Sequence, residues 1–210
     1  MSYTKQNFKD GQILKADHLI KIEEGILSFS QVGEDVSGEN FTIEGKQITA
    51  GVNAEIFNNY SENVATGNYS HAEGHTTQAL GEAAHAEGLG TAARGQAAHA
   101  EGMDCIASAA HAHAEGANTQ VTQQGGQAEG IQTKVWSTGG HAEGLTTLVT
   151  GNYAHVEGQS TIAASEYQHV QGRYNIEDGE NTYAHIVGNG DGEGRRSNAY
   201  TLDWYGNGEY

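Results

Sequence analysis

Histidine and glutamate stand two residues apart in "HAEG" at His71/Glu73. The pair returns at His85/Glu87, His99/Glu101, His113/Glu115 and His141/Glu143, and as "HVEG" at His155/Glu157. An imidazole beside a carboxylate can move a proton, ligate a metal or make a charge-assisted hydrogen bond. General acid–base catalysis needs a cleft whose groups sit in different environments. A pair repeated in one uniform setting has none, so no catalytic residue is assigned and the chain is read as non-enzymatic. Zinc accepts His and Glu, but a dedicated site does not need its ligands repeated in every unit, so no metal and no other cofactor is expected.

The spacing shows what positions these pairs. The anchor histidine stands at 71, 85, 99, 113, 141, 155 and 169, with Gln127 in its place once, so every step is 14. A further copy, "HIVG" from His185, follows a step of 16. Each unit divides into halves: Ala72-Glu73-Gly74 is answered by Ala79-Leu80-Gly81, and the small residue continues as Ala93, Val121, Val135, Val149 and Ala163. Two short strands and two turns per unit follow, with side chains alternating between faces. Ala72, Thr77, Ala79 and Gly81 then point inward, where only small groups fit between closely spaced strands. His71, Glu73, Gln78 and Leu80 point out. Extension back through Ala65-Thr66-Gly67 places the first coil near Ala54, and about eight coils at about 4.8 Å each make a rod of about 40 Å.

Composition agrees with a narrow core. The chain has 30 glycines at fixed intervals, no proline, and 36% hydrophobic residues with four Phe and two Trp. Two Ala-sized groups per layer, at ~0.8 kcal/mol per buried CH₂, do not offset ordering a whole coil at ~1 kcal/mol or more per residue. Lateral association is the expected remedy. A net charge of −17 disfavours nucleic acid and anionic lipid as partners. Cys105 is alone, so it forms no intrachain disulfide, and in the place of Thr77 and Thr91 it reads as a small buried thiol. No signal core or membrane-length apolar run is seen, which makes membrane insertion unexpected and a cytoplasmic origin the reading.

Upstream, Leu19, Ile22, Ile26 and Phe29 form one apolar stripe on a helix expected over 16–31 and ended by Gly33 and Gly38. Packing on its own domain and a coiled-coil seam between copies of the chain explain that stripe equally well. "FTIEGKQITAG" reads as a hairpin turning at Glu44-Gly45, and "AYTLDWYGNGEY" as a strand, a turn at Gly206-Asn207 and a second strand. The division is 1–53 for attachment or registration, 54–188 for the roll, and 189–210 for a loop and hairpin adaptor that reads as truncated or processed at its end.

Two small-x-Gly motifs per unit, as in "SHAEGHTTQALG" and "AHAEGLGTAARG", resemble the YadA-like head repeat of trimeric autotransporter adhesins over about residues 54–188. The resemblance implies an all-β fold: a left-handed parallel β-roll assembled as a homotrimer. "FKDGQILKADHLIKIEEGI" and "RRSNAYTLDW" look more like tail-fibre and baseplate proteins of phages of Gram-positive bacteria. Gln127, the step of 16 and "HVQG" at His169 depart from the repeat, leaving the geometry beyond Gly172 open.

The resemblance also puts the residues flanking the small position at the threefold axis: His71, Glu73, His85, Glu87, His99, Glu101, His113, Glu115, His141, Glu143, His155, Glu157 and His169. Between residues 54 and 172 stand 12 carboxylates and two permanent cations, Arg94 and Lys134, so only histidines are numerous enough to partner the glutamates. Each Glu is expected to accept a hydrogen bond from a His of a neighbouring chain or layer. Charged histidines would lose their stabilisation as pH rises, whereas neutral ones would show little dependence. His75 and His111 lie off the pattern and are read as solvated.

Binding belongs to the variable outward positions. Lys134 and Trp136, with Arg94, form the candidate ligand face, since an exposed indole can stack on a sugar ring; cover for a neighbouring loop or chain explains Trp136 as well. Tyr69, Tyr153, Tyr167 and Tyr183 read as caps of the stack. The expected function is a shaft or receptor-binding component of a phage tail fibre or baseplate. Its expected partners are itself, other virion tail proteins and a host-surface glycan or protein. A bacterial surface adhesin head is the alternative, separable by neighbouring genes. An ice-binding solenoid would need outward threonines, and the column of Thr77 points inward.

Overall fold

The computed structural model describes residues 63–210 and, upstream, the backbone of the strands Phe41–Ile43, Lys46–Ile48 and Glu55–Ile56. The helix expected over 16–31, with Leu19, Ile22, Ile26 and Phe29, lies outside the described residues. Phe41–Ile43 pairs antiparallel with Lys46–Ile48, Ile43 opposite Lys46, the strand pairing of the hairpin read from the sequence; Glu44 and Gly45 lie outside the described residues.

From Glu55 the chain winds as a parallel β-solenoid. Each coil contributes a longer strand, such as His85–Leu89, to one sheet and a two-residue strand, such as Ala92–Ala93, to a second. Ten parallel strands, from Glu55–Ile56 to Tyr183–Asn189, form the long sheet, and eight form the short one. Register follows the ruler: His85 pairs with His99 and Ala92 with Ile106. Backbone groups are satisfied between layers, as where the His85 N–H donates to the Ala98 carbonyl at 2.9 Å.

The core is as narrow as composition requires. Ala72, Ala79, Ala86, Ala93, Val121, Val135, Val149 and Ala163 are fully buried, and Thr77, Thr91, Thr119 and Thr133 line the same interior. Cys105 sits in that threonine column, buried, with Sγ 3.2 Å from the Gly116 carbonyl. Asparagine closes the column at each end. Asn63 accepts from the Thr77 N–H at 3.0 Å. Asn175 accepts from the Ile162 N–H at 2.8 Å and donates to the Ile162 carbonyl at 3.0 Å.

Two departures from the ruler are absorbed without loss of register. Glu55 pairs with His71, so the first anchor step is also 16, although Val64 pairs with Gln78 at the normal 14. At the other end His169 pairs with His185, and parallel pairing continues to Arg173 and Asn189. Asp178 organises the longer connection: its carboxylate accepts from Gln168 Nε2 at 3.1 Å and the Tyr183 N–H at 2.8 Å. The parallel stack thus extends past Gly172. Asn198–Asp203 then adds antiparallel to Tyr183–Asn189, and Gly208–Glu209 pairs with it in turn. The one helical segment among the described residues is a 3₁₀ turn, Glu193–Arg195.

The tyrosines do not cap the stack. Tyr69, Tyr153 and Tyr167 occupy a turn at φ 56–59° on its flank, all more than half exposed, with Tyr153 and Tyr167 stacked at 5.6 Å. Tyr183 differs, lying in a strand and packing on the core.

Candidate functional site

Alternation along each long strand puts the first, third and fifth residues on one outer face. Three columns result. The first holds His71, His85, His99 and His113, then Gln127, then His141, His155, His169 and His185. Neighbouring imidazole centroids lie 4.7–5.0 Å apart, which is the layer spacing. Gln127 divides the stack in two.

The second column holds the glutamates, which meet imidazoles of the same or an adjacent layer. His113 Nε2 meets Glu115 Oε2 in the same strand at 3.3 Å. His71–Glu73, His85–Glu87 and His99–Glu101 stand at 3.5–3.7 Å, electrostatic contacts at or beyond hydrogen-bond length. Past the Gln127 gap the pairing changes layer: His141 faces Glu129 at 3.9 Å and His169 faces Glu157 at 3.8 Å. The Nε2 atoms of His85, His99, His141, His155, His169 and His185 are shielded from solvent yet lack a hydrogen-bond partner.

Burial and stacking act on three of the imidazoles. Burial, then the neighbouring imidazoles, lower the pKa of His99 below 6.5, against opposing pulls from Glu101 and Glu115. His169 and His185 are lowered likewise, by burial and then by His155 and His169 respectively. The neutral form of His99, His169 and His185 is therefore favoured.

The third column, not recognised from the sequence, is apolar. His75, Leu89, Met103, Ala117, Ile131 and Leu145 stand in register, and Leu89, Met103, Ile131 and Leu145 are 40–53% exposed. Its signal was present in the residue after each Gly of "HAEG", hidden because His75 and Ala117 interrupt it. His75 is exposed on this column and His111 on a turn.

Glu129, His141 and Glu143 come nearest to a metal-ligand set among the described residues, with ligand atoms within 4.8 Å of one another. Ligands at about 2.0 Å from tetrahedral zinc lie only about 3.3 Å apart. These groups would have to close inward to hold it.

Of the expected ligand face, Lys134 and Trp136 are adjacent, the ammonium 5.6 Å from the ring centroid. Arg94 is exposed three layers away and does not join them. The chain matches no family model and no curated protein.

Proposed function

We propose that this chain is a structural and receptor-binding component of a phage tail fibre or baseplate, built as a left-handed roll of the YadA-like kind and acting as a homotrimer in host attachment. One observation carries the trimer: the apolar column of Leu89, Met103, Ile131 and Leu145 runs beside the imidazole and glutamate columns on a single face. A face with exposed aliphatic side chains gains from burial against copies of itself. The narrow core is then supplemented by apolar area shared between chains. The uniform ladder supports a non-enzymatic role. Light scattering or sedimentation equilibrium tests the assembly, with an expected mass three times the 22.2 kDa chain. A concentration-independent mass of one chain would reject it.

A further inference from the structure

We infer that the groove between Trp136 and Arg196 is a saccharide-binding site that prefers acidic sugars. This rests on the attachment reading above only for the class of ligand. The groove encloses about 620 Å³ along the outer face of the short sheet, within the range of small-ligand sites. Its floor is apolar: Leu148 and Ile162 follow Lys134 in one column, Lys134 pairing with Leu148 and Leu148 with Ile162. Two layer steps, about 10 Å, give room for two sugar rings.

One flank is the half-exposed indole of Trp136. The other carries exposed amide and hydroxyl groups, Gln132 and Thr146, joined by a 3.3 Å bond from Thr146 Oγ1 to Gln132 Oε1. A pyranose has apolar C–H faces and polar hydroxyl edges, and this arrangement of aromatic face, aliphatic floor and planar amides matches both.

The far wall is held rigid. Arg196 donates through Nη1 to the carbonyls of Ser160 at 2.8 Å and Asn175 at 3.0 Å, and through Nη2 to Glu193 at 2.6 Å. A wall already fixed loses little freedom on binding. Its guanidinium is neutralised by Glu193, whereas Lys134 has no carboxylate partner among the described residues. The Lys134 ammonium at the groove favours a sugar bearing a carboxylate or phosphate over a neutral one, a local attraction that acts against the chain's net charge of −17.

The test is a printed array of acidic and neutral glycans probed with the full chain, Trp136→Ala and Lys134→Gln, with solution mass and melting temperature measured on the same samples. The wild type is expected to bind acidic glycans. Trp136→Ala should lower that signal at least tenfold, and Lys134→Gln should reduce acidic glycans to the level of neutral ones. No glycan signal from the wild type, or undiminished binding by a folded Trp136→Ala, would overturn the site. Binding by a chain that proves monomeric would reject the trimer and leave the groove standing. A trimer without glycan binding would do the reverse.

Discussion

Gly116 lies at φ +112°, and a Cβ built there would come within 2.0 Å of the Gly130 carbonyl oxygen of the next coil. Gly74, Gly88, Gly102, Gly130, Gly144 and Gly158 share that geometry, with the next carbonyl at 2.0–2.2 Å. The column is glycine because one backbone lies directly on another. Gly125 contrasts with it: its φ is +65° and a methyl group added there would meet nothing within 4 Å, while Ala97 and His111 hold the equivalent turn at φ 51° and 58°. Gly116→Ala should therefore cost on the order of 3 kcal/mol, combining strain and overlap. Gly125→Ala should cost about 1–2 kcal/mol, from the left-handed conformation alone. Urea unfolding of the two variants measures the difference, and equal midpoints would contradict stacking as the origin of the repeat.

At the scale of the element, three histidines of the column tie stability to pH. His99, His169 and His185 have folded pKa values below the unfolded reference of 6.5, so protons bind the unfolded chain more readily. The fold keeps its full stability above about pH 6.5 and loses it as pH falls through the interval down to the lowered values. A melting series from pH 8 to 5 should decline on the acid side. Gln127 shows that an uncharged amide fits the column, so His99→Gln should reduce the decline. A melting temperature that rises on acidification would refute lowered pKa values at His99, His169 and His185.

The threonine column has a separate vulnerability at its end. Asn175→Ala removes two hydrogen bonds to Ile162 from a fully buried site and should cost about 1–3 kcal/mol. Faster hydrogen exchange at the Ile162 amide, with the Ala92 amide unchanged, is the expected signature of local fraying.

At the scale of the whole molecule, association should depend on the apolar column rather than on the histidines alone. Leu89→Glu combined with Leu145→Glu puts carboxylates among Glu87, Glu101 and Glu143, where like charges repel and no permanent cation is paired. The double variant should show the single-chain mass of 22.2 kDa by light scattering and keep its β circular-dichroism signal. A variant that remains trimeric would place the seam on another face.

The 14-residue period, the inward Ala, Val and Thr, and the outward His and Glu were legible in the sequence, because strand alternation and layer stacking are local rules that each unit repeats. Cys105 was legible for the same reason, its environment being that of the threonine it replaces. The tertiary structure decided what depends on neighbouring layers. It recovered the register after both steps of 16, put the tyrosines on the flank, and shifted glutamate pairing from the same strand to the next layer past Gln127. It also brought Arg196 to the side of the groove that holds Trp136, although 60 residues separate them in the chain. A periodic sequence states which face a side chain takes; only the folded stack sets the distances between faces, and with them burial, charge and pairing.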